Sequence, residues 1–224
     1  MKLLSLNNRS NKFVPLLLCV ILLSTCHNKE QGNNYKSRKQ EKKTAKSIHT
    51  PKAISIYRLG SFSQDKAEKL EKQLKEYYPN VSLKEESITL PIKHYNSWKN
   101  RYRASGVIEE LAKHRNQDVV LGLTDKVIFI SNEKSPTYGV MGYGRIGWNK
   151  CVASTIIPKT GKEQTADNFC KLALHDLGHA FGLKHCQDQH CYMVAAEHGM
   201  KFPQTTDFCP SCKVALNAKG WTIN

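Results

Sequence analysis

The sequence of 224 residues lacks any apolar run of the roughly 20 residues that a membrane-spanning helix requires, so its body is not expected to cross a membrane. Acidic residues are also scarce: 19 Asp and Glu stand against 34 Lys and Arg, for a formal net charge of +15. Residues 1–50 alone carry +8 of this charge, so no specific nucleic-acid partner is expected of the remainder. Apolar residues make up 40%, which excludes wholesale disorder and suffices for one folded domain, expected to be a monomer.

The first 25 residues indicate export. Three basic residues precede Phe13, and the 13 residues from Phe13 to Thr25 are almost wholly apolar. A cationic head before a short apolar run is typical of a secretory signal peptide, and the run is too short to persist as a membrane-spanning helix. The run ends in Leu-Ser-Thr-Cys, which resembles a bacterial lipobox, so Cys26 is a candidate lipidation site; cleavage by ordinary signal peptidase is the alternative. We predict a membrane-anchored lipoprotein of the cell envelope.

Residues 26–51 are predicted to form a flexible basic tether. Of the 24 residues from His27 to Thr50, three are apolar and seven are Lys or Arg. A segment this polar cannot bury enough surface to offset the entropy of ordering it. Its charge would favour contact with anionic lipid, although a solvated spacer without a specific partner is the simpler interpretation.

Residues 52–224 form the predicted domain, which is of the α/β class. Helical spacing appears at 64–77, 107–114 and 166–181. Strand-like runs lie before and between these helices, at 53–57, 81–90, 118–124, 127–131, 138–143 and 151–157. Strands that alternate with helices predict a sheet with crossover helices.

Metal-ligating residues are concentrated at the end of the third helical segment. His175 and His179 lie four residues apart, so both imidazoles lie on one face of the helix and can reach one ion. Gly182 provides a left-handed helix stop, after which His185 can return to the same ion. Three imidazoles leave one tetrahedral position for water, as in catalytic zinc sites. Unrelated histidines are the alternative, but this spacing is expected by chance in roughly 0.001 chains of this length.

Four cysteines with metal-ligand spacing follow these histidines: Cys186, Cys191, Cys209 and Cys212. Four thiolates fill all four coordination positions of a tetrahedral zinc, and such a site would fix the C-terminal segment in the fold. Two disulfides are the alternative, since an exported protein can form them readily. The short spacing within each pair favours zinc. Cys151 and Cys170 lie outside this pattern, as buried thiols or as a disulfide pair.

The segment HDLGHAFGLKHC at 175–186, the CYM at 191–193 and the closing CPSC together resemble the archaemetzincins, a family of metzincin zinc metallopeptidases. The likeness covers roughly residues 53–215. It implies a metzincin-like fold: a mixed, mostly parallel sheet, an active-site helix and a small zinc-stapled C-terminal subdomain. It also implies two zinc ions per chain, a catalytic one on the three histidines and a structural one on the four cysteines. Met193 is the candidate for the methionine turn beneath the active site, with an ordinary core methionine as the alternative.

Two features depart from this family. Its motif carries a Glu that takes a proton from the zinc-activated water, whereas this chain has Asp176, and its familiar members look intracellular. We expect a zinc-dependent peptidase that acts on peptides or proteins through a zinc-activated water, with Asp176 as the general base. The alternatives are a non-catalytic, zinc-containing envelope lipoprotein that binds peptides, and a basic surface-binding lipoprotein in which zinc is only structural.

Overall fold

The computed structural model describes residues 52–114, 119–133, 135–195 and 202–224. The predicted signal peptide at 1–25, the tether at 26–51 and Cys26 lie outside these residues. The described strands are β1 (Ile54–Leu59), β2 (Val81–Ile88), β3 (Tyr95–Asn96), β4 (Arg101–Arg103), β5 (Val119–Thr124), β6 (Ile128–Asn132), β7 (Ser135–Val140), β8 (Gly142–Gly144) and β9 (Lys150–Ser154). The α-helices are α1 (Gln64–Lys75), α2 (Ala104–Leu111), α3 (Ala166–Ala180) and α4 (Pro210–Asn217).

The main sheet has five strands in the order β2-β1-β5-β9-β8. The first four are parallel, and β8 pairs antiparallel with β9 at the edge. A second sheet of four strands has the order β3-β4-β6-β7. The predicted α/β class with a mixed, mostly parallel sheet is therefore confirmed. Within the described ranges, no helix has both the length and the hydrophobicity to span a bilayer.

The central strand β5 is buried at every residue, because helices or sheet cover it on both faces. On one face, α1, α3 and the C-terminal residues pack into a large apolar cluster. On the other face, α2 and the second sheet form a smaller cluster. Gly122 permits this second packing, since a Cβ there would lie 2.8 Å from a methyl carbon of Leu111.

The structure differs from the sequence expectations at three places. The strand predicted at 138–143 is divided at Met141 into β7 and β8, which belong to different sheets. The two-residue β3 and three-residue β4 are too short to show a hydrophobic period, so they were not predicted. Helix α4 was not predicted either, since it is only eight residues long and begins with Pro210.

Helix α3 carries the two histidines, and its ends are defined locally. Thr165 is the N-cap, and its hydroxyl accepts a hydrogen bond from the Asn168 amide at 3.2 Å. The helix ends at Ala180, and Gly182 follows with φ +97, a left-handed conformation that glycine tolerates best. The chain can therefore reverse immediately beyond the second histidine.

We expect Thr165→Ala to lower the free energy of unfolding by about 1 kcal/mol, because the first turn of α3 loses its capping hydroxyl. Thr165→Ser keeps the hydroxyl and is the matched control. Urea unfolding of the zinc-loaded chain measures both variants. Equal destabilisation of the two would show that the cap does not stabilise α3.

Candidate functional site

The three predicted histidines lie together. His175 and His179 are buried on α3, and His185 is exposed beyond the turn at Gly182. The Nε2 atoms of His175 and His179 are 3.0 Å apart. The ring centroid of His185 lies 5.4 Å from that of His175 and 4.8 Å from that of His179. One potential ligand atom from each residue lies within 4.8 Å of the other two.

Backbone carbonyls orient the two buried rings. His175 Nδ1 lies 2.7 Å from the Tyr192 carbonyl oxygen, and His179 Nδ1 lies 2.8 Å from that of Leu183. A carbonyl only accepts, so each Nδ1 carries the proton, and in the neutral ring each Nε2 then has a lone pair. Two facing lone pairs repel each other unless a cation lies between them. The donor set therefore fits zinc, whose tetrahedral nitrogen ligands are spaced at about 3.3 Å.

The electrostatics favour the neutral ligand form of these rings. Burial, with the neighbouring His179, lowers the pKa of His175 to about 3. Burial also lowers the pKa of His179. Neutral imidazole is the form that binds a metal, so protons compete weakly at this cluster.

The four predicted cysteine ligands also converge. One sulfur from each lies within 4.8 Å of the other three, and Sγ of Cys186 is 3.6 Å from Sγ of Cys209. A tetrahedral zinc with Zn–S bonds of about 2.3 Å requires sulfurs about 3.8 Å apart. A disulfide requires about 2.05 Å, and all four cysteines are free thiols here. The spacing therefore fits a tetrathiolate zinc site better than two disulfides.

The backbone around the cysteines is arranged to stabilise thiolates. The amides of Met193 and Cys209 donate to Cys191 Sγ at 3.4 and 3.3 Å. Cys209 is the N-cap of α4, with Pro210 in the first turn and Cys212 two residues beyond it. The partial positive charge of a helix N-terminus favours negatively charged sulfur.

The two remaining described cysteines are both free and buried. Cys151 lies on β9 and Cys170 on α3, so the disulfide left open by the sequence is not formed. Burial raises the pKa of both thiols. A buried thiol of raised pKa is a poor nucleophile, so neither residue is a candidate for catalysis.

Met193 lies directly against α3. Its side chain is fully buried, and a Cβ at Gly178 would lie 2.4 Å from its sulfur. Gly178 stands between Asp176 and His179 on α3, so the absence of a side chain there lets the methionine approach the helix axis. Met193 therefore packs on the helix that carries His175 and His179, and its role in a methionine turn stays a prediction.

Asp176 is buried on α3 and faces the edge strand β8. Its side chain is 3% exposed, and its Oδ2 has no hydrogen-bond partner among the described residues. Burial raises the pKa of this carboxyl well above its usual range. An uncompensated carboxyl in such a place is costly to stability, and its position between two metal-ligating histidines in the sequence of α3 is typical of a functional site.

Gly142 makes room for this carboxyl, and the sequence did not identify it as functional. A Cβ at Gly142 would lie 1.9 Å from Asp176 Oδ2. The orienting carbonyls of Tyr192 and Leu183 were missed as well. The glycine pair at 142 and 144 was visible in the sequence but indicated only a turn, and a backbone carbonyl leaves no residue-type signal.

Comparison with known proteins finds a matching family model and similar sequences. Residues 61–218 match the family model of peptidase family M54. An archaemetzincin of Methanopyrus kandleri is 26% identical over 152 residues, which cover 66% of this chain and 85% of that protein.

Two solved structures share the fold. The crystal structure of the Methanopyrus kandleri archaemetzincin superposes with a TM-score of 0.61 at 22% identity, covering 75% of this chain and 95% of that one. The crystal structure of a zinc-dependent peptidase from Methanocorpusculum labreanum gives a TM-score of 0.60 at 18% identity, covering 74% of this chain and 100% of that one.

We expect the full chain to contain two zinc ions, one of them lost in Cys209→Ser because the tetrathiolate cluster is broken. The C-terminal segment should then unfold, since structural zinc contributes directly to folding free energy. Cys170→Ser, which removes a buried thiol outside both clusters, is the matched control. Elemental analysis by mass spectrometry gives zinc per chain. Four cysteines paired in two disulfides, with at most one zinc in the parent chain, would contradict the assignment.

Proposed function

We infer the function of this chain from its family: it belongs to peptidase family M54, the archaemetzincins, which are zinc metallopeptidases. We propose that it hydrolyses peptide bonds at the three-histidine cluster, with Asp176 as the general base. The observation that carries the proposal is the convergence of His175, His179 and His185, together with the buried carboxyl of Asp176 on the helix that bears the first two.

The histidines are proposed to hold the catalytic zinc, His175 and His179 through the Nε2 lone pairs described above. When bound, zinc supplies a Lewis acid that polarises a carbonyl and lowers the pKa of water. The chain's own contribution is orientation, since the Tyr192 and Leu183 carbonyls hold the two buried rings in the ligand tautomer. The four cysteines are proposed to hold a second, structural zinc.

Asp176 is proposed to take a proton from the attacking water and to pass it to the leaving amine. Its Oδ2 is buried and accepts no hydrogen bond from the described residues, so this oxygen stays available to accept a proton. Aspartate is one methylene shorter than the glutamate of the family motif, and a misplacement of about 1 Å can cost on the order of 100-fold in rate. We therefore propose a slow enzyme rather than an inactive one.

The edge strand β8 supports a peptide or protein substrate. In the described part of the main sheet, β8 pairs only with β9. An extended peptide can add to such an edge through main-chain hydrogen bonds, which bind it with little dependence on side-chain identity. Because Asp176 lies against Gly142 of this strand, a peptide bound along β8 passes close to the proposed base.

The protein is proposed to act outside the cytoplasm as a monomeric lipoprotein of the cell envelope. The support is in the sequence: the cationic head, the apolar run from Phe13 to Thr25 and the lipobox-like end at Cys26. The basic residues 27–50 would then link the domain to the membrane.

A non-catalytic peptide-binding protein is the second candidate, and the shortened side chain of Asp176 favours it. A carboxyl that does not reach the attacking water would leave zinc binding and peptide binding intact but would abolish hydrolysis. Substitutions at Asp176 distinguish the two candidates.

We expect Asp176→Asn to lower kcat/KM on peptides by roughly 100-fold or more at unchanged zinc content, because general-base catalysis contributes at least that much. Asp176→Glu should raise hydrolysis, since the longer side chain brings the carboxylate nearer to the water. Asp167→Asn, which changes an exposed acid in the first turn of α3, is the matched control.

A library of diverse peptides, with zinc content measured in parallel, tests this series. If Asp176→Asn cleaves as fast as the parent, the general-base role is wrong. If neither the parent nor Asp176→Glu cleaves any peptide, the non-catalytic candidate is correct.

We expect mass spectrometry of the mature protein to find an acyl-modified N-terminal Cys26, and Cys26→Ala to move the protein from high-salt-washed membranes to the soluble fraction. Two or three acyl chains hold a protein firmly, whereas electrostatic binding by the tether is screened by salt. Cys19→Ala, which changes the cysteine in the middle of the apolar run, is the control. An unmodified mature N-terminus would contradict lipidation.

A further inference from the structure

We propose that the hairpin of β3 and β4 docks on the surface of an anionic membrane, with Trp98 entering the lipid interface. Trp98 is at the tip of this hairpin and is 96% exposed. Ile92, in the 3₁₀ turn that leads into β3, is 76% exposed. Among the described residues these are the two most exposed large apolar side chains. Removing such groups from water is favourable, so both side chains offer apolar contact area to a partner surface.

The tip is held in one conformation that keeps Trp98 outward. The Asn96 side-chain oxygen accepts from the Lys99 amide at 3.0 Å, and the Tyr95 hydroxyl donates to the Asn100 side-chain oxygen at 2.7 Å. Asn100 has φ +48, a left-handed conformation that few residues other than glycine and asparagine adopt readily. Arg101 joins the hairpin to β7, since its guanidinium donates to the Thr137 carbonyl at 3.0 Å. Trp98 is thus presented on an ordered turn.

The charge of the hairpin segment itself is of one sign. Residues 91–103 contain four Lys and Arg and no Asp or Glu: Lys93, Lys99, Arg101 and Arg103. Within the described part of the chain, none of these four has an acidic partner within 4.0 Å. The nearby His94 does pair with Glu109, at 3.4 Å. The surface is therefore complementary to anionic groups.

A lipid surface fits this combination better than a protein or a nucleic acid. Trp98 stands on an exposed turn and not in a groove, so it suits a deformable, fluid surface. Tryptophan prefers the bilayer interface, and flanking Lys and Arg interact with anionic headgroups. The sequence also predicts an export signal that ends at a candidate lipidated cysteine, and such an anchor would place the domain beside a membrane. The hairpin would then add a second, orienting contact to the anchor.

The test uses the emission of Trp98 in the full zinc-loaded chain carrying Trp148→Phe. This variant leaves Trp98 and Trp221, and Trp221 is buried in the core. Vesicles of phosphatidylglycerol and phosphatidylcholine with brominated acyl chains quench only an indole that enters the bilayer. We expect quenching on these vesicles and much less on phosphatidylcholine alone. The matched control is Trp98→Phe, which keeps the half-exposed Trp148 of another loop and should show no quenching.

Charge reversal supplies the second arm. Lys93→Glu with Lys99→Glu should lower the affinity for the anionic vesicles on the order of 10-fold or more, since each basic residue near such a surface contributes about 5-fold. Zinc content and peptide hydrolysis should be unchanged, which separates this proposal from the peptidase mechanism. Unquenched Trp98 on anionic vesicles overturns the proposal, whether or not the chain sediments with them. Equal quenching on neutral vesicles, or Trp98 quenching by RNA and not by lipid, overturns it too.

Discussion

The orientation of the two buried histidines depends on the backbone that surrounds them. Tyr192 supplies the carbonyl that fixes His175, and it lies in a turn from Cys191 to Val194 that is held from several sides. The Cys186 amide donates to the Met193 carbonyl at 2.7 Å, and the Tyr192 amide donates to the Asp207 carbonyl at 2.9 Å. The same turn therefore belongs to both clusters, and the thiol cluster acts on the histidine cluster through one peptide carbonyl.

Helix α3 is packed closely on two sides at positions where a neighbour has no side chain. Met193 contacts it at Gly178, and Asp176 projects from it into the space left by Gly142 of β8. Each glycine lets a functional group come nearer to the helix or the strand than any other residue would allow. Any Cβ at either position would displace the methionine or the carboxyl and so alter the surroundings of both histidines.

The sequence predicted what is encoded locally and missed what depends on contacts between distant segments. The helix carrying His175 and His179 was predictable because capping, spacing and the glycine stop all lie within 20 residues. The convergence of the four cysteines followed from ligand spacing, and the α/β class from alternating patterns. The division of the predicted strand 138–143 at Met141 was not predictable. It depends on pairing with distant strands, since β7 pairs in the second sheet and β8 in the main sheet. The place of Asp176 against Gly142 was equally hidden, since the two residues are far apart in sequence and pair only through the fold.

If the domain is exported, as proposed, a zinc-filled thiol cluster would explain how it keeps its histidine geometry. An oxidising compartment favours disulfides, and closing one between Cys186 and Cys209 would shorten their sulfur separation from 3.6 Å to about 2.05 Å. That movement would displace Cys186, whose amide donates a hydrogen bond to the Met193 carbonyl. It would therefore also displace the turn that carries the Tyr192 carbonyl. A zinc ion on the four thiolates would instead hold the sulfurs near their present spacing and remove them from oxidation. A structural metal at the cysteines would thus have a functional consequence, because the backbone that it fixes would be the backbone that orients His175.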